Sequence, residues 1–338
     1  MPRDTPPGHT LPRNVVEAEF KAVEPVGLYA VSLGELMALD IPNRPRHLAW
    51  LPAGGLVMVF GKRGVGKSFF VASLAASLTT GTAFLRWGVD APVGVLLVDG
   101  EMALSQLRDR IRDLVPIEPK APLEICSHEL VYNKTEMDLN LGDAEWQEAV
   151  NGFLADHEDI KVVVIDNLSC LLPTVPEDKR DDWAERVLPF LVGLRRRGVT
   201  VIMVHHAGKG GDQRGTSSRE DSLDTIIKLE AFSDSDATTG AQFLVKFTKN
   251  RGVYGEEVAD IEAQLGTGPD GSPLWSWKSI DESNEGRVLA LVRDGVTQGS
   301  EIADELGLSK GAVSKIKRRL IAKGCLAEGR EFKLAEGA

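Results

Sequence analysis

The sequence predicts an α/β fold: an open, mostly parallel sheet wrapped by helices, followed by a small C-terminal helical module. Three observations carry this. The stretch GKRGVGKS, residues 61 to 68, stands directly behind the apolar run Leu56 to Phe60 and before helix-like sequence from Phe69 to Leu78. That is the full phosphate-loop pattern in its strand, loop and helix setting. The runs Val93 to Val98, Lys161 to Ile165 and Val199 to Val204 are continuous rather than alternating, as in strands covered on both faces, and helical patterns separate them. Past a Gly- and Pro-rich boundary near residues 266 to 285, three short helical patterns follow in succession.

At 338 residues the chain has room for one large domain and a modest second one. Apolar content of 43% and charged content of 26% are those of an ordinary globular protein. No run of 18 apolar residues occurs, and the start MPRDTPPGHTLPRN has no apolar segment of signal-peptide type. The expected location is the cytoplasm, with no membrane partner. Cys126, Cys170 and Cys325 lie far apart and in no metal-ligand spacing, so reduced, mostly buried thiols are expected. A formal net charge of -11 argues against a surface that coats nucleic acid along its whole length, though not against local basic sites. From Asn284 onward ten Lys or Arg face eight acids, so the acidity belongs to the front of the chain.

Taken in order, residues 1–29 are expected to form a flexible arm, rich in Pro, Arg and Thr and without periodicity. A nucleotide-binding domain is expected over residues 30–280. It opens with a short helix after Ser32 and a Pro-broken connector, which packs on its own domain or on a neighbouring subunit, the former favoured. After the phosphate loop come a strand ending at Asp99-Gly100-Glu101, a helix from Ser105 to Val115, a short strand over 123 to 127 and a helix over Asp143 to His157. The strand Lys161 to Ile165 closes on Asp166-Asn167, the helix Trp183 to Arg197 follows, and the strand Val199 to Val204 ends in His205-His206. A glycine-rich polar loop leads to two further strands, Thr225 to Glu230 and Gln242 to Thr248. The last helices, Glu285 to Arg293, Ser300 to Leu306 and Lys310 to Lys323, with a possible closing hairpin, have the order of a winged helix-turn-helix module over residues 284–338.

The motif assigns roles by residue type. Gly61, Lys62, Arg63, Gly64, Val65, Gly66, Lys67, Ser68 and Phe69 form the nucleotide-binding stretch, in which the glycines let successive N–H groups turn inward on a phosphate. Lys67 is expected on the outer phosphates, and Ser68 on a phosphate-bound magnesium ion. The expected ligands are therefore ATP and Mg2+, with Asp166 as the second metal-side residue. Glu101 is the candidate general base or water-orienting residue, a surface-turn glutamate being the alternative. Glu101, Asp166 and His206 all follow strand ends, where ligands collect on this architecture.

Together VGVLLVDGEM with Glu101, VVVIDNLS with Asp166 and VTVIMVHH with His206 resemble the RecA-like P-loop ATPases, most closely the plasmid RepA type of hexameric replicative helicase, over about residues 30 to 255. The AAA+ pattern differs, because Asn167 holds the place where its glutamate usually stands. The resemblance implies preference for ATP and a homo-oligomeric ring, a hexamer in that family, with the subunit number open between six and seven. It implies that His206, or else His205, contacts the terminal phosphate. The loop after this strand, with Lys209 and Arg214, is implied to meet single-stranded DNA in the ring channel. Lys249 and Arg251 in KNRG are similar to the paired cations that reach a neighbouring subunit's phosphates, and Arg214 before GTSS is the competing arginine finger. On the C-terminal module Lys310, Lys315, Arg318 and Arg319 are expected to contact duplex DNA.

Three functions follow from this reading. The first is a ring-forming DNA helicase or helicase-like replication factor of plasmid, phage or mobile-element type. The second is a nucleotide-controlled DNA-binding regulator or initiator acting through the winged module. The third is a recombinase-like filament former.

Overall fold

The computed structural model describes residues 27, 28, 30–41, 44–115, 117–175, 180–207, 218–231, 241–269 and 271–335. The expected arm over residues 1–29 thus lies almost wholly outside the described residues. The chain divides into two compact units, Met1–Asn43 and Arg44–Ala338. In the first, helix α1 (Leu33–Ala38) is opened by a capping box, in which Ser32 and Glu35 satisfy each other's backbone N–H groups.

In the second unit a small antiparallel pair, β1 (Arg46–Leu48) and β2 (Leu51–Pro52), precedes the phosphate-loop strand β3 (Leu56–Gly61) and its helix α2 (Lys67–Thr80). Then follow β4 (Gly94–Asp99), α3 (Leu104–Leu114), β5 (Leu123–Ser127), α4 (His128–Thr135), α5 (Ala144–Asp156), β6 (Ile160–Asp166) and α6 (Leu168–Leu171). A turn α7 (Arg180–Asp182) and a π-helical turn, Trp183–Val187, lead into α8 (Leu188–Arg196), then β7 (Thr200–His206) and α9 (Ser218–Asp221). Strands β8 (Thr225–Ala231), β9 (Gln242–Asn250), β10 (Ile261–Thr267) and β11 (Pro273–Ser279) complete a nine-stranded sheet in the order β11-β10-β9-β8-β3-β7-β6-β4-β5. From β8 to β5 every pairing is parallel, and the three pairings beyond β8 are antiparallel. The central sheet is therefore mostly parallel, as expected. Strand β10 and helix α4 were not foreseen.

Alternation along each strand sorts the core into two layers. Leu56, Met58 and Phe60 of β3, with Val163 and Ile165 of β6 and Met203 of β7, pack beneath α5 and α8. Their neighbours Val57, Val59, Val162, Val164, Ile202 and Val204 face α2 on the other side. Helix α2 is buried on nearly all sides, which explains its uninterrupted small and apolar sequence. The two layers hold β3, β4, β6 and β7 in register, so that Asp99 lies opposite Asp166 and Gly61 opposite His206 at the carboxyl end of the sheet.

The C-terminal helices are α10 (Ile280–Arg293), α11 (Gly299–Leu306) and α12 (Lys310–Ala322). They share a hydrophobic cluster centred on Val288, Ile302, Val313, Ile316 and Leu320. The segment after α12 closes through a single antiparallel bridge, Leu326 to Leu334.

Candidate functional site

The phosphate loop is built where glycine alone fits. A Cβ on Gly61 would stand 2.5 Å from the Leu229 carbonyl oxygen on β8. Gly66, the residue that opens α2, has φ +106°, and a Cβ there would meet Ala241 at 2.6 Å. No side chain caps α2, so the amides of its first turn face the cavity, the arrangement that binds an anion. Lys67 is buried, and its ammonium donates to the carbonyls of Lys62 at 2.9 Å and Gly61 at 3.1 Å. Burial pushes its pKa down, while Asp166 and Glu101 work in the other direction.

Opposite this loop, Asp166 ends β6 and accepts a hydrogen bond from the Ser68 hydroxyl. Burial raises its carboxyl to about 6, and the charges of Asp99 and Glu101 add to the rise against that hydrogen bond. Asp99 accepts the backbone N–H groups of Met102 at 2.8 Å and Glu101 at 3.2 Å, which fixes the turn that carries Glu101. The Glu101 carboxylate in turn accepts from the Asn167 amide at 2.5 Å, while Asn167 uses its carbonyl to cap α6 through Cys170 N–H at 3.1 Å. His206 Nε2 stands 4.0 Å from the same carboxylate. Burial foremost, then the charge of Lys67, hold His206 down to about 4, so the ring is neutral at pH 7 and the contact is not an ion pair. Lys67, Ser68, Glu101, Asp166 and His206 line one cavity of about 490 Å3. A glycine loop in left-handed backbone at Gly64 and Gly66, an uncapped helix start and a hydroxyl paired with a carboxylate suit a triphosphate with a divalent ion.

The ionisation of Asp166 has a measurable sign. Its ordinary value is 3.8, so between that pH and about 6 the folded chain holds a proton that the unfolded chain releases. Ionisation above pH 6 therefore works against folding. In magnesium-free buffer, Asp166→Asn is expected to stabilise the chain at pH 8 by about 1–3 kcal/mol, with the gain vanishing towards pH 4. Urea unfolding at the two pH values checks this, and an equal effect at both would contradict it.

Of the other expected residues, Arg63, Gly64, Gly66 and Phe69 also line the cavity, Arg63 from an exposed position, while Lys62 is exposed and Val65 buried outside it. His205 is fully buried and does not line the cavity. Lys249 donates to the Glu220 carbonyl and Arg251 to that of Asp221 at 2.7 Å, both at the end of α9, and neither lines the cavity. Lys209 and Arg214 lie outside the described residues. On α12, Lys310, Lys315 and Arg318 are exposed, with no ion pair among the described residues. Arg319, the fourth residue expected at DNA, is partly exposed and ion-paired within the chain. Its guanidinium is bound at 2.8 Å to Glu285 and at 3.0 Å to Asp281, because α10 presents those two acids one turn apart against α12. Lys317 is likewise committed, donating to the carbonyls of Gly329, Arg330 and Glu331.

Sequence reasoning missed several polar residues of the site, among them Asp99 and Asn167 behind Glu101, and Gln106, Arg110 and Ser169, which line the cavity. Only the placing of Asn167 directly after Asp166 signalled one of them.

The model of the AAA domain family matches residues 22–212, more than half of the chain. No curated protein matches the sequence. Among solved structures, a KaiC-like protein from the archaeon Pyrococcus horikoshii is similar at 17% identity, covering 70% of this chain and 99% of its own, with a TM-score of 0.48. The flagellar accessory protein FlaH of Methanocaldococcus jannaschii is similar at 15% identity, covering 67% of this chain and 90% of its own, with a TM-score of 0.43. The family match spans the phosphate loop and the strands carrying Glu101, Asp166 and His206. By that match and by its mostly parallel sheet, the chain belongs to the AAA domain family, as a P-loop ATPase of RecA-like type.

Proposed function

We propose that this chain is an oligomeric ATP-hydrolysing motor, a ring-forming DNA helicase or helicase-like replication factor, in which hydrolysis at subunit interfaces is coupled to single-stranded DNA. The observation that carries the reading is the placing of Glu101. Its carboxylate is oriented by Asn167, lies beside a neutral His206 and faces the cavity that holds Lys67 and Asp166. A carboxylate so held can take the proton of an attacking water, which is the one acid–base task of phosphoryl hydrolysis.

The phosphate-loop amides and Lys67 would hold the phosphates, and Ser68 with Asp166 would hold Mg2+. When bound, the metal supplies charge for the departing phosphate oxygens. His206, which lies beside Glu101 at the end of the strand that feeds the glycine-rich loop, is the residue suited to report the state of the terminal phosphate to that loop. Lys249 and Arg251 stand outside this cavity, which accords with a role on a neighbouring subunit's nucleotide. The location consistent with this function is the cytoplasm, and no described helix is long and apolar enough to cross a membrane.

A second reading is favoured by one surface. Residues 284–338, read as a winged helix-turn-helix module, carry the free cations Lys310, Lys315 and Arg318 on one exposed helix. That face suits duplex DNA and a nucleotide-controlled regulator.

ATP hydrolysis measured at several protein concentrations, with single-stranded or duplex DNA, separates the two. A motor shows strong single-strand stimulation and a rate that rises more than linearly with protein, and Arg251→Ala abolishes hydrolysis while mixing it with Glu101→Gln restores part of the rate. Indifference to single strands, with a duplex footprint removed by Lys315→Ala, would replace the motor by the regulator.

A further inference from the structure

Arg110 is the least expected member of the cavity. It sits in the second turn of α3, and its guanidinium carbon lies 4.1 Å from the centre of the Phe69 ring. Phe69 is the residue next to Ser68 on the first turn of α2, so the stack bridges the two helices at the rim of the phosphate loop. The side chain is half-buried. Among the described residues it makes no hydrogen bond and no ion pair. Burial pushes its pKa down, while the charges of Asp166, Asp99 and Glu101 work in the other direction. An arginine has five N–H donors and cannot shed its charge, so a half-buried one with no acceptor is an incomplete site.

Lys67 offers a contrast. Its ammonium is already satisfied by two loop carbonyls and must leave them to reach a phosphate. Arg110 has no hydrogen bond to break. The aromatic face of Phe69 fixes the plane of the guanidinium and leaves its edge for an acceptor in the shared cavity. The three carboxylates near it bond other groups instead: Asp99 accepts from two backbone N–H groups, Asp166 from Ser68 and Glu101 from Asn167. What Arg110 lacks, among the described residues, is a bonded acceptor.

We propose that Arg110, stacked on Phe69, is a phosphate-binding residue supplied by the same subunit, which contacts the terminal phosphate of the bound triphosphate. This rests on the nucleotide reading above. The terminal phosphate is chosen over the inner ones because Arg110 lines the same cavity as Glu101 and Asp166, the residues that would activate the attacking water and hold the metal. The residue thereby discriminates a triphosphate from a diphosphate without help from a neighbouring subunit.

The test is calorimetric titration of the full chain with ATPγS and with ADP, each with Mg2+. Arg110→Ala is expected to weaken ATPγS binding about 10- to 100-fold and ADP binding less than about 3-fold, the effect of one charge-assisted bidentate contact. Arg110→Lys keeps the charge but not the planar fork, and should recover only part of the triphosphate affinity. Phe69→Leu should move the ratio in the same direction by a smaller factor. An unchanged ratio of ATPγS to ADP affinity in Arg110→Ala would overturn the assignment, and so would full recovery of that ratio by Arg110→Lys, since a charge that only balances the three carboxylates needs no planar fork. Should Arg110→Ala fail to fold, Arg110→Gln serves the same comparison. Lys67→Ala separates the two levels of inference. Wild-type binding of both nucleotides by that variant would remove the nucleotide reading and this proposal with it. Loss of binding there, with an unchanged ratio in Arg110→Ala, would remove the proposal alone.

Discussion

Lys67→Ala is expected to lose ATP hydrolysis by about a thousandfold or more and nucleotide affinity by about a hundredfold or more. The ammonium is the one cation of the loop that is buried, and it hangs over the cavity from the first residue of α2. Removing it takes away a charge-assisted contact to the outer phosphates in a site already rich in carboxylates, where Asp99, Glu101 and Asp166 repel a triphosphate once the cation is gone. The fold is expected to tolerate the change. Burying an ammonium costs free energy, and the carbonyls of Gly61 and Lys62 that it serves lie beside an open cavity where water can replace it. Hydrolysis and calorimetric binding on the same preparation provide the check, and turnover close to wild type would refute the assignment of the cavity.

Glu101→Gln has an effect of similar size but a different character. The substitution keeps the shape of the side chain and an oxygen to accept from Asn167. It removes the negative charge and with it the capacity to take a proton. Hydrolysis should fall about 10²- to 10⁴-fold while the affinity for Mg2+–ATP stays within about threefold. The side chain is 57% exposed in the single chain, so it contributes little to the core and the variant should fold normally. A loss of binding equal to the loss of rate would mean that Glu101 holds the ligand rather than activating water. The same variant distinguishes His206, whose neutral ring cannot replace the carboxylate as a charge but can still contact a phosphate.

Much of this site could be read along the chain because its signals are local. The phosphate loop, the strand before it and the helix after it occupy consecutive residues, and each residue type has its reason within a few positions. Glu101, Asp166 and His206 were legible as strand-end residues, since continuous apolar runs announce buried parallel strands and their carboxyl ends. Strand β10 was missed although Ile261, Ala263 and Leu265 alternate with Glu262, Gln264 and Gly266 in strand period, because that short alternation adjoins a Gly- and Pro-rich stretch read as a boundary. Helix α4 begins only because Ser127 caps it, at the end of a strand that has no turn signal.

The fold class, the nucleotide loop and the strand ends that bear the acids are written along the chain, because hydrophobic period and motif spacing act between neighbours. Which polar groups meet depends on the packing of distant segments. Asn167 reaches Glu101 across 66 positions, Arg110 finds Phe69 across the gap between two helices, and Arg319 is taken by Glu285 and Asp281 instead of remaining free. Each of these pairings depends on how parallel strands are registered or helices packed, and a charge or amide has no periodicity that foretells its partner.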